Sequence, residues 1–158
     1  MPSMTDRNAS GTNLVAFLAQ LIYGYTAATG TAVISSTGTG APSSLTLTLP
    51  YKLRLCTTSP TATANGTELT GTGYTAGGAS FGATPFSGFS SSVVTNANIV
   101  SWSVGSTWTT VTSAEIVDST ATPKRLAFGD LTTPITGAVS GDTVQFGASS
   151  ISLTMTGW

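Results

Sequence analysis

The sequence predicts an all-β sandwich or barrel with a single helix near its N-terminus. Three observations predict it. From Leu45 onward the chain breaks into roughly eight to ten short β-rich runs at 8 to 12 residue spacing, parted by Gly, Pro, Asn and Asp. Threonine supplies about a fifth of the residues, and its branched side chain suits a pleated, half-buried surface. Helical periodicity occurs in one stretch alone.

That stretch holds Leu14, Phe17, Leu18, Leu21, Ile22 and Tyr25, which recur at i, i+3, i+4, i+7, i+8 and i+11 and so share one helix face. Thr12 or Asn13 can accept the first free backbone N–H groups, and Gly24 stands where a left-handed stop is wanted. The apolar face either packs on the domain's own sheet or docks on a neighbouring subunit. Thr26 to Ser44 is Thr, Ala, Gly and Ser around the pair Val33-Ile34, too poor in bulk to nucleate a core. It reads as an extended arm or long loop, so residues 1–44 form an N-terminal helix and arm and residues 45–158 a β-domain.

Within the β-domain, Leu45 to Leu49 alternates with period two. Pro50 interrupts it at an edge or corner, and Tyr51 to Thr57 follows with Tyr51, Leu53 and Leu55 on one face and Lys52 and Arg54 on the other. Ser59 to Gly78 is rich in turn residues and reads as a surface loop with a short strand near Tyr74. Phe81, Phe86 and Phe89 are spaced by Gly and Pro as anchors for an irregular segment. Further strands are expected at Val93-Val94, Ile99 to Trp102, Trp108 to Thr112 and Ala114 to Asp118. Arg125 to Phe128, Ile135 to Val139, Asp142 to Phe146 and Ser150 to Met155 complete the set.

Composition argues against catalysis. The chain has no histidine, 5 basic and 6 acidic residues among 158, and a formal net charge of -1. Near neutral pH an enzyme usually recruits histidine, a tuned carboxylate pair or a cysteine. Of the acids, only Glu115 and Asp118 are close in sequence, and three residues apart on a strand they point to opposite faces. The glycine-rich runs lack the Lys-Ser/Thr ending of a phosphate loop, and no Gly-x-Ser-x-Gly elbow occurs. Cys56 is alone, which excludes an internal disulfide, and its strand setting predicts a small buried side chain. No cofactor or metal site is expected. Asp142, after Gly141, is expected to bond the backbone of its own turn.

The same poverty of charge leaves no basic patch for nucleic acid. The apolar stretch Leu14 to Ile22 is too short to span a membrane, and no signal-peptide pattern precedes it, which predicts a chain kept in the cytoplasm before assembly. Charged residues make up 7% of the chain, where an independent soluble domain carries about a quarter. A surface so poor in ions is expected to work inside an assembly. Trp102 and Trp108 are expected in the core; the other reading is a carbohydrate-stacking surface formed by Trp102, Trp108 and Trp158.

Three blocks resemble a known family. They are Leu53 to Thr61 with Gly66-Thr67-Glu68 and Gly71-Thr72-Gly73-Tyr74; Trp108 to Thr112 with Ile116-Val117-Asp118; and Leu126 to Pro134 with Val139 to Phe146 and Ile151 to Thr154. Together they are similar to small bacteriophage virion proteins labelled tail-fibre-like, minor structural or head-decoration proteins. The resemblance covers about two thirds of the chain, and it implies a jelly-roll-like β-domain displayed on a phage particle. With the low charge it points to a capsid decoration or cement protein, a homotrimer that buries hydroxyl-rich and apolar faces against the major capsid protein and sister copies. Interface candidates are Leu14, Phe17, Leu18 and Leu21, with Val33 and Ile34 of the arm and the terminal Trp158. The alternative is a tail-associated module that recognises cell-surface glycan through the Tyr74 to Phe89 loop. A free-standing carbohydrate-binding domain is the third reading.

Overall fold

In the computed structural model residues 30–34, 45–88 and 93–154 are described, and every regular element among them is a β-strand. The strands are β1 Gly30–Ile34, β2 Leu45–Leu49, β3 Lys52–Cys56, β4 Ala79–Ser80, β5 Phe86–Ser87 and β6 Val93–Asn96. β7 Val100–Ser103, β8 Val111–Val117, β9 Arg125–Ile135, β10 Thr143–Phe146 and β11 Ser152–Thr154 follow. The predicted helix face, Leu14 to Tyr25, lies outside the described residues, as does Phe89.

All pairings are antiparallel and fall into four ladders: β4-β3-β8-β9, β11-β6-β5, β10-β7 and the hairpin β1-β2. They do not join into the continuous sheets of a closed jelly roll. What unites them is one core, to which Leu47 and Leu49 of β2, Leu53 and Leu55 of β3, Phe86 of β5, Val94 of β6, Trp102 of β7 and Ile116 of β8 all contribute. Alternation explains these choices: β6 and β7 each bury every second side chain, as strands with one dry face do.

Four differences from the sequence reading have physical causes. Gly30–Ile34, in the stretch expected as an arm, pairs with β2 from Gly30 opposite Leu49 to Ile34 opposite Leu45, because a backbone with little side-chain bulk can still complete a ladder. Tyr74 is not in a strand: Gly73 is left-handed at φ 88°, and the Tyr74 N–H donates to the Gly71 carbonyl in a tight turn. Trp108 stands before β8, held by its indole N–H on the Thr72 carbonyl and its backbone N–H on the Ala138 carbonyl, so the strand starts at Val111 and runs unbroken to Val117. The runs expected around Arg125 and Ile135 are one strand of 11 residues. Pro134 is tolerated there because β9 is an edge strand, and the extra residues between Asp130, opposite Ser113, and Ile135, opposite Val111, bulge out of register.

The central strands β3 and β8 are buried on both faces. One face meets the core, and the segment 57–68 folds over the other. Ser113 Oγ donates to the Thr58 carbonyl, the Gly66 N–H donates to Glu115 Oε1, and the Arg125 guanidinium donates to the carbonyls of Thr61, Ala62 and Ala64. This roof explains why Arg54, placed on the outer face by alternation, is only 7% exposed.

Candidate functional site

The acidic side chains among the described residues all hold hydrogen bonds within the fold. Glu115, fully buried on β8, accepts from Arg54 Nε at 2.8 Å, from Arg54 Nη2, from Arg125 Nη1 at 3.2 Å and from the Gly66 N–H at 3.0 Å. Burial alone would raise its carboxyl; the Arg54 bond, then Gly66 and Arg125, outweigh this and hold it below the usual carboxylate range. Asp118 is opposed by burial in the same way and is lowered by Thr120, Lys124 and Thr48, whose hydroxyl and backbone N–H groups it accepts.

Glu68 accepts from the Tyr74 hydroxyl at 3.0 Å and from the Gly77 N–H. Asp130 accepts from Ser59 Oγ at 2.6 Å, and Asp142 accepts from the Val139 N–H at 2.9 Å, the local turn bond expected of it. Among the described residues no three of His, Cys, Asp or Glu cluster as a metal ion would require.

The aromatic surface considered for glycan stacking is not formed by Trp102 and Trp108, which are 4% and 3% exposed. Tyr74 stacks on Trp102 with ring centroids 6.1 Å apart and meets Trp108 edge to face at 6.0 Å. Burial raises the Tyr74 hydroxyl far above its ordinary value, with Glu68 adding to the shift. Cys56 is fully buried, as expected, and burial first, then the Glu115 charge, push its thiol up to about 12.

Of the predicted interface residues, Leu14, Phe17, Leu18, Leu21 and Trp158 lie outside the described residues. Val33 and Ile34 belong to β1, opposite Thr46 and Leu45 of β2. Exposed apolar side chains lie elsewhere, at Ile99, at Val139 and on β9. Its outer edge has no ladder partner among the described residues. Phe128 on this strand is 46% exposed, with the Arg125 guanidinium 4.5 Å from its ring centre.

Beside the edge runs a groove of about 680 Å³. Leu53, Ala114, Ile116, Ala127 and Leu131 line it from the four-stranded sheet, and Val144 and Phe146 of β10, Leu153 of β11 and Ile151 just before β11 line it from the other side. Thr132, Thr133, Ser150 and Ser152 supply hydroxyls among the lining residues. Such an arrangement can bury an apolar segment and can offer backbone groups to another strand. Sequence reasoning missed it because the break assumed at Pro134 divided β9 in two. A strand that tolerates proline was the available signal for an edge.

A family model described as Podophage GP4 fiber I protein gp80 matches residues 24–154, from before β1 to the end of β11. Comparisons with curated proteins and with solved structures find no match. Among the described residues no helix is long and apolar enough to cross a membrane.

Proposed function

The chain belongs to the podophage GP4 fiber I protein gp80 family, a family of phage virion proteins, and on that premise we propose that it is a non-catalytic structural component of the fibre apparatus. The family's fibre description carries this reading and favours the fibre over the capsid surface as the site of attachment. The chain's chemistry supports it: charged residues are 7% of the sequence, and threonine alone supplies about a fifth of it. Hydroxyls exchange hydrogen bonds across a contact without the cost of stripping water from ions. The jelly-roll-like sandwich is part of the same proposal, with the four-stranded sheet facing the β10-β7 and β11-β6-β5 ladders across the common core.

In this reading the partners are sister copies and neighbouring fibre proteins. Strand pairing along β9 is the contact the fold offers. Burial of Trp102 and Trp108 weighs against glycan stacking by these rings and for a scaffolding role. Cryo-EM of the virion, with antibody labelling against this chain, tests the proposal. Density for the β-domain along the fibres is expected; density on the capsid shell would restore the decoration role and overturn this one.

A further inference from the structure

We propose that the groove beside β9 is the seat of this chain's own residues 14–25, whose apolar face covers the half-buried walls of β9, β10 and β11. The groove is an opening in the core. Leu131, Ile135, Val144, Phe146, Ile151 and Leu153 pack against the buried cluster yet remain only partly covered. Covering a bulky apolar side chain removes it from water, so an apolar segment able to reach this wall gains by lying on it.

The sequence narrows the occupant. Residues 35–44 are Ser, Thr, Gly, Ala and Pro, with no bulky apolar side chain to insert. Residues 14–25 carry six such side chains at three- and four-residue spacing. From Asn8 to Tyr51 the chain has no charged residue, so seating the segment desolvates no ion of its own. On the groove side the acid among the lining residues, Asp130, is already bonded to Ser59.

The connection is short enough. Gly30 sits opposite Leu49, and Leu49 is four Cα steps, at most about 15 Å, from Leu53 in the groove wall. Four residues separate Tyr25 from Gly30, and the five Cα steps between them reach about 17 Å when extended. The hairpin is also fastened to the head of β9, where Lys124 Nζ donates to the Thr46 carbonyl at 2.7 Å and the groove wall begins three residues on at Ala127.

Cysteine pairing in the full chain tests this. With Leu18→Cys and Leu153→Cys, oxidation is expected to give a disulfide within one chain, seen as a linked peptide in a monomer on a non-reducing gel. A disulfide only between chains would assign the groove to a second copy, and absence of any would leave the segment elsewhere; either overturns the proposal. Native Cys56 is buried and does not compete.

A second measurement is amide exchange in the full chain carrying Leu18→Asp. Losing one buried apolar side chain, about 1.5 kcal/mol, corresponds to about tenfold faster local opening, expected over Leu131 to Ile135 and Ile151 to Leu153. Unchanged exchange there with the β-fold intact by circular dichroism overturns the proposal. So does acceleration by Trp158→Ala in its place.

Discussion

Arg54 and Glu115 stand directly opposite one another on β3 and β8, and the guanidinium closes on Glu115 Oε2 through both Nε and Nη2 beneath the 57–68 roof. The pair is thus an internal fastening, with Arg125 as its third member from β9. Its value depends on both partners being present, because a buried charge without its counter-ion costs more than the pair contributes.

Glu115→Gln is therefore expected to destabilise by about 3 to 5 kcal/mol, leaving two arginines without their shared carboxylate. Arg54→Met with Glu115→Leu should recover most of that loss. Urea unfolding of the wild type, the single variant and the double variant measures it. A double variant as unstable as the single one would show that the charges contribute more than their mutual compensation.

Stability against pH should form a plateau with two edges. Glu115 and Asp118 have folded values below their unfolded ones, so their contribution is complete above the ordinary carboxylate range, near pH 4, and is lost as the pH falls through the lowered values. Cys56 is raised, so its contribution is complete below the ordinary thiol value of about 8.5 and is lost as the pH climbs towards about 12. With no histidine to titrate between them, the urea midpoint should be flat from about pH 6 to 8. A sigmoidal change inside that window would contradict the assignment.

Gly73→Ala separates steric clash from backbone strain. A Cβ at Gly73, where φ is 88°, would lie 2.0 Å from the Ser103 carbonyl oxygen, whereas at Gly137, φ 68°, it would meet nothing within 4 Å. Gly137→Ala should cost about 1 to 2 kcal/mol from the left-handed backbone alone. Gly73→Ala should cost clearly more and disturb the neighbouring Tyr74–Trp102 stack, visible as altered near-ultraviolet dichroism. Equal costs would mean that the turn yields freely.

The thiol of Cys56 should resist alkylation at pH 8 in the folded protein and react fully in denaturant, since it is both enclosed and held protonated. Labelling followed by mass spectrometry reads this directly. Rapid modification of the native protein would show that the β3 region opens independently of the rest.

Much of the strand content was legible because alternation survives local context. Leu45 to Leu49 and Val100 to Trp102 show their periodicity in the sequence and in the structure, whereas Lys52 to Cys56 alternates in sequence but is covered on both faces. The buried tryptophans and the Asp142 turn bond were legible for a similar reason, being decided by bulk and by adjacent residues. The Arg54–Glu115 pairing was not, because it joins residues 61 apart and depends on the register of β3 against β8. Nor was the roof, whose contacts are made largely by backbone groups that every residue possesses. The groove depends on how far two layers stand apart, a quantity no local pattern encodes.

Arg125 donates to the carbonyl oxygens of Thr61, Ala62 and Ala64, and to none of their side chains. The shape of that exposed loop is thereby imposed from below, by an arginine on another strand, through atoms that do not vary with residue type. Replacing the side chains of Ala62 and Ala64 leaves the tether intact, whereas Thr61 also accepts the Ala64 N–H on its hydroxyl. The outward face at these two alanines is consequently free to drift in sequence while the backbone path stays fixed.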